Sequence, residues 1–166
     1  MADIKDAESR SRNMAAIKSR DTKPELFIRK ALFADGFRYR IAPKNIPGCP
    51  DVYLPKYKVA IFIHGCFWHR HRDCRYAYMP KSRVEFWQKK FDSNTKRDLE
   101  VRFQLREAGI RVIVIWECAI RMVCKTSDGT KELIHHIEAC IRDRSSECEV
   151  EADEILKTWR DRCNRD

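Results

Sequence analysis

The sequence predicts an α/β layered domain, chiefly from two apolar runs and the helical segments around them. Residues 59–63 (VAIFI) and 112–116 (VIVIW) are apolar without alternation, which is typical of central strands covered on both faces. Flanking strands and amphipathic helices would cover these two strands. The 166 residues are enough for one domain whose hydrophobic core needs no disulfide support.

The chain divides into three predicted parts. Residues 1–20 are basic and polar, with Met14 and Ile17 as isolated apolar side chains, which indicates an arm that orders on a partner. Residues 21–142 carry the strand and helix signals and form the predicted folded domain. Residues 143–166 form a polar tail in which only a weak helix is predicted.

The folded domain begins with a helix signal, the sequence DTKPE. Asp21 or Thr22 is the predicted N-cap, and Pro24 lies in the first turn. Glu25 lies at the positive end of the helix dipole, and Gly36 ends the helix. The predicted buried side consists of Leu26, Ile28, Ala31, Leu32 and Phe33.

Three strands are predicted after this helix. Residues 37–41 alternate as a half-buried strand does, and the proline-containing run up to Pro50 predicts a turn. Residues 51–54 give a short strand. Residues 57–63 contain the first central strand.

The second half of the domain repeats the order of helix and strand. A long helix is predicted over about residues 83–108, with Ser82 and Glu85 as a capping box. The second central strand follows it. Residues 130–142 then form an amphipathic helix whose apolar side is Leu133, Ile134, Ile137 and Ile141.

The net charge of +9 indicates a polyanionic partner. Because residues 143–166 are net acidic, the positive charge is concentrated in residues 1–142. Nucleic acid is the commonest polyanion that such a surface binds. The alternative is that the lysine and arginine side chains only solvate helices.

Eight cysteines could form the disulfide framework of a secreted protein. However, the N-terminus has no apolar signal stretch, and no apolar run approaches the length of a membrane span. We therefore predict a reducing cytoplasm, in which some cysteines bind metal and others, such as Cys140 and Cys163, are free.

The segment IFIHGCFWHRHRDCRY, residues 61–76, predicts a zinc site. It supplies soft sulfur and imidazole donors at CxxxxHxxC spacing from Cys66, His71 and Cys74. Cys118 follows the second central strand, and it would meet Cys66 if the two central strands are parallel neighbours. Cys49 and Cys124 are weaker candidates for the fourth ligand.

The same segment carries side chains suited to catalysis and to base stacking. His64 and His69 titrate near neutral pH, which suits proton transfer. Phe67 and Trp68 are adjacent, so they cannot both face one core on an extended backbone, and this favours stacking between bases. Trp87 fits either packing or stacking. His135 and His136 are predicted to be helix-surface residues without a function.

Five blocks of sequence carry a resemblance to a known family. They are NMAAIKSRDTKPE, PGCPDVYL, VAIFIHGCFWHRH, SRVEFWQKKFDSN and VIVIWECA, at residues 13–25, 47–54, 59–71, 82–94 and 112–119. HGCFWH between an upstream PD and a downstream WEC is highly specific. The chain resembles the very short patch repair endonucleases, bacterial enzymes that nick beside the T of a T:G mismatch. This resemblance implies a restriction-endonuclease-like core of the PD-(D/E)xK type, with a central mixed sheet.

The resemblance also implies roles for individual residues. It places catalysis on Asp51, His64 and His69, with Glu25 in support. It implies structural Zn²⁺ on Cys66, His71, Cys74 and Cys118, and DNA intercalation by Phe67, Trp68 and Trp87. Met14 and Ile17 are further expected DNA contacts.

Catalytic Mg²⁺ is expected on Asp51 and on the backbone carbonyl of Ile63, because Mg²⁺ is a hard ion that takes oxygen ligands. Ile63 stands where some family members have threonine, so a hydroxyl role is absent here. His69 can take a proton from water, and His64 can orient it or stabilise charge. Glu25 is otherwise a favourable partner of the helix dipole.

Two other functions fit the sequence less well than a mismatch endonuclease does. A zinc-stabilised DNA-binding module would leave Asp51, His64 and His69 without a purpose. An ordinary restriction endonuclease would show an acid-x-lysine motif, whereas the matching strand here ends Phe62-Ile63-His64. The expected partners are double-stranded DNA with a T:G mismatch and mismatch-repair proteins. We expect a monomer in the bacterial cytoplasm, associated with the nucleoid and with no membrane.

Overall fold

The computed structural model describes residues 20–143 and 147–163, which form five helices and four strands within these ranges. The predicted arm therefore lies outside the described residues except for Arg20, and so do Met14 and Ile17. The elements in chain order are α1 Lys23–Ala34, β1 Val52–Leu54, β2 Val59–His64, α2 Val84–Glu107, β3 Arg111–Trp116, α3 Glu117–Val123, α4 Ser127–Arg142, β4 Cys148–Val150 and α5 Ala152–Cys163.

The four strands form one mixed sheet in the order β1-β2-β3-β4. β1 is antiparallel to β2, whereas β2, β3 and β4 are parallel. The register pairs His64 with Trp116, so the two central strands end at the same edge of the sheet. The central strands are parallel neighbours, which is the condition under which Cys118 was expected to meet Cys66, and this arrangement determines where the functional residues meet.

The core lies on both faces of β2 and β3, as the unbroken apolar runs predicted. Val59, Ala60 and Ile61 are fully buried, and so are Ile113 and Ile115. The apolar side predicted for α4 is confirmed: its four residues Leu133, Ile134, Ile137 and Ile141 are all buried. Helices α3, α4 and α5 pack against one another beside the sheet.

Three local predictions are wrong. Residues 37–41 form only an isolated bridge, in which Arg40 and Tyr53 exchange backbone hydrogen bonds of 2.8 Å. Helix α2 begins with Arg83 as N-cap, in a left-handed conformation and without a side-chain capping bond, in place of the predicted Ser82 box. Leu26 and Phe33 are exposed, because α1 turns Ile28 and Leu32 inward instead.

The residues predicted as a polar tail also differ from expectation. Strand β4 pairs with the edge of β3, and α5 packs on α3 and α4, so the described part of this segment completes the domain. Cys140, predicted to be free, is joined to Cys148 of β4 by a disulfide. The side chain of Cys163 lies outside the described residues. None of the described helices has the length and apolarity needed to cross a membrane.

Candidate active site and metal centre

Asp51 lies just before β1 and is held against the end of β2. The backbone N–H of Ile63 donates a hydrogen bond of 2.7 Å to Asp51 Oδ2. The loop before Asp51 is fixed by Gly48, which has a φ of +73° and lies so close to Val101 that a side chain would collide with it. One carboxylate oxygen is thus anchored, and the other remains available for a ligand.

Glu25 is buried at the start of α1, where its carboxylate is heavily used. It accepts hydrogen bonds from the Asp21 backbone N–H (2.9 Å) and from the Thr22 hydroxyl (2.8 Å). Buried Arg29 donates to it at 3.0 Å and also donates to the Asp51 backbone carbonyl at 3.2 Å. Glu25 therefore stabilises the cap of α1 and links this helix to the Asp51 segment.

His64 and His69 lie face to face beside Asp51. Their rings stack with centroids 3.8 Å apart and planes 9° apart. Asp98 of α2 contacts the imidazole of His69: Asp98 Oδ2 lies 2.6 Å from His69 Nδ1. A carboxylate at this nitrogen fixes the tautomer and the orientation of the imidazole.

Burial determines the charge state of these groups. It raises the pKa of Asp51 to about 6, and the charge of Glu25 adds to this rise, although the Ile63 hydrogen bond opposes it. Burial lowers the pKa of His64 to about 3, so His64 is a neutral ring at physiological pH. Burial alone would raise the pKa of Asp98, but the hydrogen bond with His69 and the charges of His69, His64 and Arg97 together outweigh burial, so the net pKa is lowered.

A cleft of about 700 Å³ contains this whole constellation. Asp51, Ile63, His64, His69 and Asp98 all line it, and Glu25 lines its α1 side. Cationic side chains occur around the same cleft, namely Arg20, Arg29, Lys44, Arg97 and Arg102. Such a cleft suits a polyanion whose phosphate approaches a carboxylate and a pair of imidazoles.

The four predicted zinc ligands come together behind this cleft. The ligand atoms of Cys66, His71, Cys74 and Cys118 all lie within 4.8 Å of one another. Cys66 and Cys118 each lie two residues beyond the end of a parallel central strand, which brings their side chains together as predicted. Cys49 and Cys124, the weaker candidates, are outside this group.

The chemistry of this group fits a metal. Cys118 Sγ lies 3.4 Å from His71 Nδ1, and both residues are buried. The hydrogen bond from Cys66 lowers the pKa of the Cys118 thiol to about 6, and the same bond together with burial raises the pKa of Cys66. Cysteine binds zinc as the thiolate, so a thiol that ionises readily suits a zinc site.

Trp116 connects the metal group to the cleft. Its ring stacks on His71 with centroids 4.1 Å apart, and its edge contacts His64 at 5.4 Å. Glu149 of β4 accepts a 3.1 Å hydrogen bond from Trp116 Nε1. Next to it, Glu151 Oε1 lies 3.3 Å from His71 Nε2, a buried nitrogen that has no hydrogen bond.

The three residues predicted to intercalate form one aromatic cluster with their neighbours. Phe67 contacts Trp68 at 5.2 Å and Trp87 at 5.3 Å, in edge-to-face arrangements. All three are half-buried, whereas Phe91 beneath them is buried. Asn94 donates to the Trp68 carbonyl at 3.0 Å and holds this loop on α2. The cluster thus has a fixed base and an accessible edge.

Asp98 is a site residue that the sequence analysis does not predict. Its signal was present: it lies on the buried side of α2, at helical spacing from Phe91, Asn94 and Leu105. An acidic residue in an otherwise buried stripe indicates a partner. Glu149 and Glu151 were also missed, because their segment had been interpreted as a polar tail.

The chain is similar to known proteins of one family. Residues 2–76 match the family described as DNA mismatch endonuclease Vsr. The chain is 40% identical over 141 residues to the Type II nicking enzyme V.NmeAIP of Neisseria meningitidis, covering 85% of this chain and 100% of the relative. It is 37% identical over 155 residues to DNA mismatch endonuclease Vsr of Escherichia coli, covering 93% and 97%. It is 38% identical over 120 residues to the Type II nicking enzyme V.XorIIP of Xanthomonas oryzae, covering 72% and 88%.

Proposed function

The chain belongs to the Vsr family of DNA mismatch endonucleases, and from this premise we propose how it selects and cuts its substrate. The substrate is double-stranded DNA with a T:G mismatch, which arises when 5-methylcytosine is deaminated. The product is a nick in one strand, 5′ of the T. The observation that carries this proposal is the placement of Asp51, His64, His69 and Asp98 around one cationic cleft.

Asp51 and Ile63 would hold a catalytic Mg²⁺. The Asp51 oxygen that does not accept from Ile63 supplies one hard ligand, and the Ile63 backbone carbonyl supplies a second. Mg²⁺, when bound, would neutralise phosphate charge and favour an activated water. Binding requires Asp51 to be ionised, and its raised pKa makes this state dependent on pH.

His69 is the proposed general base. Asp98 binds Nδ1, which leaves Nε2 as the nitrogen that can take a proton from water. His64, neutral and stacked on His69, positions that ring and does not act as a cation in the free protein. Glu25 supports the site through Arg29, which binds the backbone of Asp51.

Cys66, His71, Cys74 and Cys118 are the proposed ligands of a structural Zn²⁺. Three sulfurs and one imidazole satisfy a tetrahedral ion and leave no open position for water, which is typical of structural sites. The loop they pin carries both catalytic His69 and the aromatic pair Phe67 and Trp68. A restriction-endonuclease-like core is the proposed fold family of the sheet and its helices.

Mismatch recognition is assigned to the aromatic cluster. Its accessible edge would insert between bases, where a T:G step opens at lower cost than a matched one. Met14 and Ile17 of the arm are proposed as further contacts. The setting that fits this role is the bacterial cytoplasm, with a monomer acting on nucleoid DNA and mismatch-repair proteins as further partners.

A strand-specific nicking assay tests the proposal. Duplexes labelled on either strand, matched or with a T:G mismatch in varied contexts, are incubated with Mg²⁺ or with EDTA. We expect a single nick on the T strand that requires both mismatch and Mg²⁺. Cleavage of both strands in matched DNA would favour a restriction endonuclease, and mismatch binding without a nick would favour a non-catalytic module.

A further inference from the structure

A second group of metal-binding side chains lies where α4 meets β4. Cys140 of α4, Cys148 of β4 and His136 of α4 place their ligand atoms within 4.8 Å of one another. His136 and Cys140 are four residues apart, so they lie on one face of the helix. This group shares no residue with the Cys66 group and lies apart from the catalytic cleft.

His136 was predicted to be a helix-surface residue without a function, but the structure places it differently. Its side chain is 16% exposed, and its Nε2 atom is buried without a hydrogen-bond partner. A buried polar atom left unpaired destabilises the fold. An occupant that accepts the lone pair of this nitrogen would remove that cost.

Glu154 of α5 lies beside this group. Its Oε2 lies 3.8 Å from His136 Nε2, and its side chain is 55% exposed. If this side chain turns toward the three other ligands, two sulfurs, one imidazole nitrogen and one carboxylate oxygen would give the four donors of a tetrahedral, borderline-soft ion.

We propose that the reduced protein binds a second Zn²⁺ at this point, on Cys140, Cys148, His136 and Glu154. The disulfide between the two cysteines is the oxidised alternative of the same site, and it excludes the metal because disulfide sulfurs are not thiolates. A phosphine converts the oxidised form to the reduced form: the S–S bond takes two electrons and two protons, and the phosphine takes the oxygen of one water to become a phosphine oxide. The two thiols lose their protons when zinc binds.

The proposed site would staple the C-terminal segment to the rest of the domain. Its ligands join α4, β4 and α5, and β4 has only three residues to hold it in the sheet. The residue after Cys148 is Glu149, which accepts the Trp116 hydrogen bond beside His71. Fixing β4 therefore also supports the wall between the Cys66 group and the cleft. This second site does not depend on the proposed nuclease mechanism.

Zinc titration of metal-free protein tests the proposal. The full chain is reduced with a phosphine, stripped of metal, desalted without oxygen and titrated with Zn²⁺ against a chromophoric chelator. We expect two tight equivalents per reduced chain, and one in the oxidised chain. Cys148→Ser should bind one, and Cys124→Ser, a half-buried cysteine outside both groups, should still bind two.

One tight equivalent in the reduced parent that Cys148→Ser retains, or two in Cys148→Ser, would overturn the second site. One equivalent that Cys148→Ser loses would support this site and would overturn the ion proposed on the Cys66 group. Circular dichroism checks that each variant is folded. If Cys148→Ser does not fold, His136→Asn decides, because it leaves both cysteines in place. We expect this variant to bind the second equivalent at least tenfold more weakly, and unchanged affinity in it would refute the assignment of His136 as a ligand.

Discussion

At the scale of single residues, the cleft combines a carboxylate that holds its proton unusually tightly with an imidazole that hardly binds one. Asp51 has a pKa of about 6, above its ordinary 3.8, and His64 has a pKa of about 3, below its ordinary 6.5. Both shifts follow from burial, which disfavours the charged form. Of these two groups, only Asp51 is charged at neutral pH, and a bound cation can compensate that charge.

This arrangement predicts a trade of stability for function at Asp51. The pKa of folded Asp51 lies above its unfolded value, so ionisation destabilises the fold, and the penalty grows as pH rises from about 4 through 6. Asp51→Asn removes the charge and keeps an oxygen for the Ile63 N–H. At pH 7.5 and without divalent cations, we expect the unfolding free energy of Asp51→Asn to exceed that of the parent protein by about 1–3 kcal/mol. Below pH 4 the two proteins should be equally stable.

Urea unfolding at several pH values checks this prediction, with exposed Asp35→Asn as the matched control. The same Asp51→Asn protein should bind mismatched DNA but fail to nick it. A gain in stability that does not depend on pH would contradict the assigned cause, and near-normal nicking would contradict the catalytic role.

The contact between Asp98 and His69 predicts a second effect at this scale. Asp98→Asn keeps the size of the side chain but no longer fixes the imidazole with a negative charge, so proton transfer should slow. We expect the nicking rate to fall by about 10²–10⁴-fold, with little change in DNA affinity. Single-turnover rates measure this.

Asp92→Asn is the control for Asp98→Asn, because it changes an exposed aspartate on the same helix. The pH–rate profile gives a second readout, since the acidic limb, on which a general base becomes protonated, should shift only in Asp98→Asn. If both variants nick at the parent rate, Asp98 has no role in positioning His69.

At the scale of elements, the loop after β2 carries residues of both the zinc group and the aromatic cluster. It contributes zinc-type ligands on one side and the aromatic pair on the other, and Asn94 of α2 holds its backbone at Trp68. Because that hydrogen bond uses the Trp68 carbonyl, the indole can be removed without releasing the loop.

Trp68→Ala therefore tests the wedge directly. We expect mismatch binding to weaken by about 1–3 kcal/mol, the usual value of one base–aromatic stack, and binding to matched DNA to change much less. Titrations at two salt concentrations separate this effect from phosphate contacts. Phe103→Ala, which removes a 62% exposed aromatic of α2, is the control. Equal losses on both duplexes would mean that Trp68 only packs.

The segment after β4 predicts a further effect on the Cys66 group. A carboxylate that holds the free nitrogen of a metal-bound histidine raises its basicity and fixes its ring. Glu151→Gln should therefore weaken zinc binding at this group by about 10–100-fold. Competition against a chelator measures it, and exposed Asp153→Asn is the control. Unchanged affinity would leave the 3.3 Å approach of Glu151 to His71 without a role in metal binding.

At the scale of the whole molecule, the proposed zinc group joins the ends of both central strands. Cys118→Ala should lose that ion, and should lower the melting temperature by several degrees because the loop after β2 is no longer tied to β3. Metal analysis and thermal unfolding check this, with Cys49→Ala as the exposed control. Full zinc retention in Cys118→Ala would exclude Cys118 as a ligand.

The sequence by itself determined the parts of this protein that depend on local pattern. The apolar runs of strand length are buried in β2 and β3, and the apolar residues that recur at helical spacing lie on the buried side of α4. Both patterns could be predicted because the spacing of buried residues in a strand or helix depends only on residues close in the sequence. The Cys66 group was also predictable, because a CxxxxHxxC cluster needs only one more sulfur from the parallel strand beside it.

Tertiary structure alone decided how distant segments complete the site. Asp98 meets His69 across 29 residues, and Glu149 meets Trp116 across 33, and no local pattern encodes such contacts. The same reason explains why β4 was missed. A run of only three residues, Cys148–Val150, has little strand signal of its own, and it forms a strand only because the edge of β3 offers unpaired backbone groups to it.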